Sequence, residues 1–363
     1  MPKIKHDYSP VNHSRIEKGY YLKCKYYYLP FPDWHGSISR YMGIIIRLIH
    51  FCILPYSIIK GMIIVKKENI SNIFVTSGYG YYFILAYYLK KLTKTPYSVY
   101  MFDLWTKEIA ASRIHRVLIK LFEKRIFTSA KNVFVMSEPL KEYYERKFSI
   151  SPVVISHSVD LTKYSSLDTK KSVDTFPEGD FREIVFTGMI NSAQRDAIRN
   201  MVDALKLPGM ENIKLILYTR ADVDLLKQTG ISGENVILRY ALPEEIPIIQ
   251  KKADILFLPL AFNSSMPTLI KTAMPGKLPE YLAAGRPILV HAPKGCFISG
   301  YAKDKDFAVV VDRPDRFLLK EAILNILNNP AIQNRIIGNA LFTAKLHDSE
   351  TISVRMQQYL EKE

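Results

Sequence analysis

From residue 182 onward, short runs of continuous apolar residues alternate with segments of helical period. "REIVFTG" (182–188), "IKLILYT" (213–219), "NVILRY" (235–240), "ADILFLP" (253–259), "PILVHA" (287–292) and "FAVVVD" (307–312) read as buried strands. Between them, "AIRNMVDALK", a segment around Asp222–Gln228, "PEEIPIIQKK" and "PGKLPEYLAAGR" read as helices, and a further helix runs from Arg316 to Asn328. Such alternation predicts a parallel sheet covered by helices on both faces, with right-handed crossovers. The same grammar holds from residue 70. "NIFVTSG" (72–78), "YSVYMFDLW" (97–105), "NVFVMSE" (132–138) and "PVVISHSVD" (152–160) read as strands, separated by "YYFILAYYLKKL", "ASRIHRVLIKLFEKRIF" and "PLKEYYERKF" as helices. The stretch from Leu167 to Gly179, rich in Asp, Thr, Ser and Lys, reads as a linker. The pattern therefore predicts an N-terminal domain over 1–165, a linker over 166–180 and a second α/β domain over 181–345, followed by a final helix within 346–363. Two doubly wound domains of this kind bind ligands at the C-terminal ends of their strands.

One stretch breaks the pattern. "MGIIIRLIHFCILPYSIIKGMIIV" (42–65) is long and apolar, but Arg47, His50, Pro55 and Lys60 interrupt it. Charges at mid-span are costly in a bilayer, which argues against a transmembrane helix. A buried core helix and a helix lying in the membrane interface are the two readings that remain.

Charge sharpens the second of these. Residues 1–165 hold 25 Lys and Arg against 11 Asp and Glu, a net of +14, whereas residues 166–363 hold 25 against 24. The same N-terminal portion carries 18 of the 23 tyrosines. A basic, aromatic-rich half suits an anionic membrane surface or a nucleic acid. No nucleic-acid reading motif accompanies it, so no nucleic-acid partner is expected. Cys24, Cys52 and Cys296 form neither a metal spacing nor a disulfide framework, in keeping with a reducing compartment. The opening "MPKIKHDYSP" is polar and does not read as a cleavable signal peptide.

Candidate chemistry concentrates in "PGKLPEYLAAGRPILV" (275–290). A helix beginning near Lys277 directs free amides and a positive dipole end outward, a ready site for phosphate, and Lys277 adds a point charge. Glu280 suits vicinal hydroxyls, such as those of a ribose. On pattern alone, a solvated Lys and Glu on a helix surface is an equal alternative.

"MPGKLPEYLAAGRPIL" resembles the donor-binding segment of the GT-B glycosyltransferases of the family 4, or group 1, type. "YALPEEIPIIQKKADILFLPL" resembles the segment leading to it, while "VFVMSEPLKEYYERKF" and "VVISHSVDLTKY" resemble the end of that family's N-terminal domain. "MFDLW" resembles the Asp-x-Trp element of a subgroup that builds bacterial surface polysaccharides. The similarity spans roughly residues 70–360, with its elements in the family's order.

The resemblance implies an α/β GT-B fold, in which two Rossmann-like doubly wound domains face a cleft and the last helix returns to the N-terminal domain. It implies a hexosyltransferase-like enzyme that moves a sugar from a nucleotide-sugar to a lipid-linked saccharide, with retention of configuration. Such an enzyme would work in the cytoplasm, peripherally on the inner face of the cell membrane. Lys277 and the amides around Gly276 would hold the diphosphate, with Leu278 and Thr272 in the same donor-binding set. Glu280 would bind the ribose, Gly188 in "FTGMIN" would let the backbone approach the phosphates or sugar, and the turn at Tyr240 and Leu242 would lie near the base. Asp103 is the candidate acceptor-side or catalytic group, with a helix N-cap before 106–112 as its structural alternative. Arg195 is the candidate catalytic cation. No Asp-x-Asp element stands at a strand end, "ADVD" (221–224) reading as a helix start, so neither a metal nor another cofactor is expected.

The chain departs from the family at three places. Where the family has a second glutamate, eight positions before Glu280, this chain has Thr272. Met189 follows Gly188 where an arginine is usual, and Gln194 and Arg195 resemble the variant that accompanies Asp-x-Trp. Finally, no strand with a glycine-rich loop precedes Lys23, so the domain's first strand and helix are expected to be missing or replaced. These departures support an alternative, an inactive relative that binds nucleotide or scaffolds a polysaccharide-assembly complex. His157, in "ISHSVD", reads as structural near an interdomain hinge. For His291, a core role and a place near the nucleotide are equally open.

Overall fold

The computed structural model describes residues 18–21, 24–27, 40–76, 81–105, 113–166 and 181–361. The expected linker over 166–180, apart from Ser166, the segment 106–112 and the first 17 residues lie outside them. The chain divides into two compact units, Met1–Tyr97 and Ser98–Glu363.

The first unit opens with an antiparallel hairpin, β1 (Lys18–Tyr21) and β2 (Cys24–Tyr27). The apolar stretch forms one helix, α1 (Arg40–Lys67), which continues through Pro55. Pro55 removes one backbone hydrogen bond, and it lies on the exposed side of the helix. Among the described residues no helix is long and apolar enough to cross a membrane. After β3 (Ile73–Thr76), α2 (Tyr81–Thr93) buries Phe83, Ile84, Leu85, Ala86 and Leu89. Gly61 permits the close approach of α1 to α2, because a Cβ there would stand 3.0 Å from Leu89 Cδ2.

The second unit contains two parallel ladders. In the first, β4 (Tyr97–Met101), β5 (Asn132–Val135) and β6 (Val153–Val154) lie side by side with parallel register. Helices α3 (Arg113–Ser129) and α4 (Glu138–Phe148) flank it, and Ile126, Phe127, Leu140 and Tyr144 fill the interior. Two expected strands are shorter here. β4 stops at Met101, because the chain turns at Phe102 and Trp105 donates its amide to Tyr144 Oη (3.2 Å). β6 covers only two residues of the expected 152–160. Beyond it the chain crosses to the second ladder, with Val159 bonding to His347 O (2.8 Å) and to Ser349 N (2.9 Å). A short helix, α5 (Leu161–Ser165), follows with Asp160 as its cap.

The second ladder has six strands, all parallel, namely β7 (Arg182–Thr187), β8 (Ile213–Tyr218), β9 (Val236–Arg239), β10 (Ile255–Pro259), β11 (Ile288–His291) and β12 (Val309–Val311). Their spatial order is β12-β11-β10-β7-β8-β9. Every core strand expected from residue 182 onward is present. On one face pack α6 (Arg195–Leu205) and α12 (Arg316–Asn328), through Ile198, Met201, Leu319 and Ile323. On the other face pack α8 (Ile246–Lys252), α10 (Leu278–Ala283), α11 (Phe297–Lys305) and α13 (Pro330–Ala344). Helix α7 (Val223–Gln228) begins at "ADVD", where Asp222 accepts from Leu225 N (2.9 Å) as a cap. Among the described residues, four α-helices lie outside the sequence-based expectation: α5, α9 (Pro267–Thr272), α11, which contains Gly300, and α13, which starts at a proline beside α12. Finally α14 (Ser349–Glu361) runs back to the first ladder, packing Ile352, Met356, Tyr359 and Leu360 against Phe134 and Ile155.

The chain leaves β7 outward to β8 and β9, then returns to place β10 on the opposite side of β7. The reversal opens a crevice at the C-terminal ends of β7 and β10, where open α/β sheets take their ligands.

Candidate functional site

Gly188 follows β7 at this crevice with φ +122°, a conformation that side-chain-bearing residues rarely adopt. Its amide donates to Tyr218 O (2.9 Å), which fixes the turn to the neighbouring strand. Lys277 reaches this turn from the start of α10. A Cβ on Gly188 would lie 3.3 Å from Lys277 Cε and 3.4 Å from Nζ. The ammonium stands 4.0 Å from the centroid of the Phe186 ring. Burial pushes its pKa down to about 8, against a smaller upward pull from Glu280. Among the described residues no carboxylate forms an ion pair with it. A desolvated cation held against a glycine turn by a π face is suited to accept a phosphate.

Glu280 lies on the first turn of α10, three residues beyond Lys277. Its Oε2 accepts from Gln250 Nε2 (3.1 Å). Gln250 is fully buried on α8 and also donates to Thr187 Oγ1 (3.2 Å), while its Oε1 accepts from Tyr164 Oη (2.6 Å). Thr187 in turn donates its amide to Tyr281 Oη (3.0 Å). One buried network therefore fixes Glu280 and the residue before Gly188 together. Sequence reading missed Gln250, Tyr164, Thr187 and Tyr281. The available signal was a lone glutamine within the apolar turn "IPIIQ".

The amides at the mouth of α10 are fewer than the sequence suggests. Leu278 donates its amide to Pro275 O (2.9 Å), and Pro279 has none to donate. The Leu278 side chain, expected at the donor, is fully buried in the core. Thr272 is also turned inward, with its hydroxyl donating to Thr268 O (3.0 Å) and its carbonyl accepting from Ser137 Oγ (2.8 Å). Gly276 is exposed, and a Cβ there would stand 3.6 Å from His157 Nε2. His157 stacks on Phe102 (centroids 6.3 Å apart, planes at 5°), the neighbour of Asp103. The segments after β4 and β6 thus meet the mouth of α10. Asp103 lies beyond the end of β4 with an exposed edge, yet desolvation by its surroundings raises its carboxyl above the usual range.

Arg195 opens α6, partly buried, and its Nε is buried without a hydrogen-bond partner among the described residues. Its neighbour Asp196 accepts from Phe262 N (3.0 Å) and Asn263 N (2.7 Å), tying the loop after β10 to the crevice. Tyr240 and Leu242 follow β9, both exposed. Tyr240 Oη accepts from Arg220 Nη2 (2.7 Å), and the guanidinium lies 5.1 Å from the ring centroid. Leu242 N donates to Glu245 Oε2 (2.6 Å). His291 resolves as a core residue. It is fully buried between Val311 O (2.9 Å from Nδ1) and Asn200 Nδ2 (3.2 Å from Nε2), and burial pushes its pKa down to about 4.

No family model matches the chain, and no curated protein sequence matches it. Solved structures do share the fold. Sucrose-phosphate synthase from Thermosynechococcus elongatus superposes with a TM-score of 0.68 at 17% identity, over 95% of this chain and 85% of that one. HepE from Anabaena, in complex with UDP and glucose, gives 0.64 at 13% identity over 86% and 81%. The UDP-forming α,α-trehalose-phosphate synthase from Burkholderia vietnamiensis gives 0.62 at 11% identity over 90% and 81%. The chain thus has two parallel-sheet α/β domains, the fold of these structures.

Proposed function

We propose that this protein is a glycosyltransferase that transfers a sugar from a nucleotide-sugar, with UDP as the leading nucleotide, to a lipid-linked saccharide with retention of configuration. The observation that carries this reading is the Lys277 ammonium, without an ion pair among the described residues, against the Gly188 turn, with Glu280 held one helical turn away. The cation and the glycine turn suit a diphosphate, and the oriented carboxylate suits the ribose. The exposed Tyr240 and Leu242 would flank the base. The UDP held by the fold's neighbour HepE favours that nucleotide. Lys277 and Arg195 would stabilise the leaving diphosphate without a metal, a preorganised electrostatic contribution that is often the largest in catalysis. Asp103 would act on the acceptor side.

The acceptor reading rests on the basic N-terminal half and on α1. Tyr56, Ile59 and Ile63 are each more than half exposed on one helical face, near Lys60, Lys66 and Lys67. An apolar stripe bordered by lysines suits the interface of an anionic membrane on the cytoplasmic side. Ile59→Glu with Ile63→Glu should abolish flotation with anionic liposomes, and equal recovery of wild type with anionic and neutral liposomes would refute the membrane reading.

A second reading is favoured by Thr272, whose hydroxyl is committed to Thr268 O where the family has a glutamate. In that case the protein binds nucleotide without transferring sugar. A thermal-shift panel with UDP, GDP, CDP and dTDP on wild type and Glu280→Ala tests the donor site. Ligand at a hundred times its Kd adds about 2.7 kcal/mol. A shift with one nucleotide that is lost in the variant supports the site, and no shift with any of the four refutes it. Donor turnover then separates enzyme from binder.

A further inference from the structure

We infer that Gln250 is a positioning residue that withholds Glu280 from Lys277, keeping the carboxylate free for ribose hydroxyls and the ammonium free for a diphosphate. This rests on the donor-site reading above. Lys277 and Glu280 stand three residues apart at the start of one helix, a spacing at which opposite charges normally meet. They form no ion pair. Instead Gln250 Nε2 donates to Glu280 Oε2 at 3.1 Å.

The direction of that hold is fixed by chemistry. Gln250 Oε1 accepts from Tyr164 Oη (2.6 Å), so both amide hydrogens face Glu280 and Thr187 Oγ1. A flipped amide would point its oxygen at the carboxylate, two acceptors with no proton between them, so only one orientation satisfies every partner. Gln250 has no exposed surface, and a buried amide with three partners does not reorient freely. The hold occupies one carboxylate oxygen and leaves Oε1 without another donor among the described residues. Without Gln250, Glu280 is left to the Lys277 ammonium, which already feels its charge. The resulting pair would neutralise the cation that a diphosphate needs and turn the carboxylate away from the ribose.

The test is the binding of UDP and 2′-deoxy-UDP, by titration calorimetry, to the full chain. Wild type should prefer UDP by about tenfold or more, the value of a hydrogen bond to a charged group. Gln250→Leu should bring that ratio close to one and weaken UDP itself by about tenfold. Gln250→Glu keeps the volume and the Tyr164 contact but repels Glu280, and should do the same, so a folding failure of the leucine variant does not decide the matter. In a Glu280→Ala background, Gln250→Leu should weaken UDP no further, because no carboxylate remains to close on Lys277. An equal loss in both backgrounds would assign Gln250 a merely structural role and overturn the inference. If folded Gln250 variants keep the wild-type ratio, the inference falls while the donor site stands. If wild type binds none of UDP, GDP, CDP and dTDP, the donor site falls and takes the inference with it. Should another base be preferred, its ribo and deoxy pair replaces the UDP pair.

Discussion

Replacing Gly188 by alanine separates two effects that meet at one atom. The backbone stands at φ +122°, where a Cβ strains the main chain whatever the space around it. Such strain costs about 1–3 kcal/mol. The added methyl would also lie 3.3 Å from Lys277 Cε and 3.4 Å from Nζ. That contact is with the end of a flexible side chain, which gives by a few tenths of an ångström at little cost in stability. It nevertheless displaces the ammonium. Gly188→Ala should therefore lose about 2 kcal/mol of stability. At about 2–4 °C per kcal/mol for a domain of this size, Tm should fall by about 4–8 °C. Urea denaturation should show a lower midpoint at unchanged m. Lys277→Ala removes the contact but leaves the φ, so adding Gly188→Ala to it should cost the same again. If the loss vanishes in that background, the methyl contact was its source and the backbone argument is wrong. If Gly188→Ala melts like wild type, the turn is not strained at all. Nucleotide affinity should fall in either single variant, because both move or remove the Lys277 charge.

Three further outcomes follow from the same geometry. Free Lys277 titrates near pH 8 and a bound diphosphate would hold its proton, so nucleotide binding should take up a proton above that pH. Affinity should then fall by up to about tenfold per pH unit as pH rises past 8, and calorimetry at pH 8.5 in buffers of different ionisation enthalpy should register the uptake, zero uptake counting against it. His291 is held neutral, with its pKa pushed down to about 4 from an unfolded value of 6.5, so its contribution is present above pH 6.5 and is lost as pH falls toward 4. Between pH 7 and pH 5 wild type should lose about 2 kcal/mol more than His291→Gln, and parallel denaturation curves would contradict this. Asp103→Asn should lower kcat by about a hundredfold or more while leaving the nucleotide-induced melting shift intact; a shift lost with activity would move Asp103 to the donor side.

The strands of the second ladder were legible because both of their faces are covered. Residues 255–259 and 288–290 are continuously apolar, without the alternating polar positions that a solvent-facing strand would need, and they became most of β10 and β11. The first ladder was harder to bound, since β4 and β6 end where tertiary contacts pull the chain away, at Trp105 and Val159. Lys277 and Glu280 were singled out as a charged pair at a helix start and Gly188 through the family resemblance, and the structure brings Lys277 against the Gly188 turn. Gln250 was not singled out. On a short helix one glutamine beside two lysines has the pattern of a solvated face, and only the packing of α8 against β7 and α10 turns it inward. Leu278 shows the converse, since a motif position is not a contact, and the helix rotation that presents Lys277 and Glu280 buries Leu278 and Pro279 between them.

The return of α14 has a consequence for biosynthesis. Asn132 Nδ2 donates to Tyr359 O (3.0 Å) across a separation of 227 residues, and Phe134 is covered by the same terminal helix. A ribosome adding about 5–20 residues per second needs about 11–45 s to make the second partner after the first. The sheet formed by β4, β5 and β6 therefore waits, one flank bare, until α14 has been made. A product that stops before α14 would therefore carry an exposed apolar flank for quality-control factors to engage.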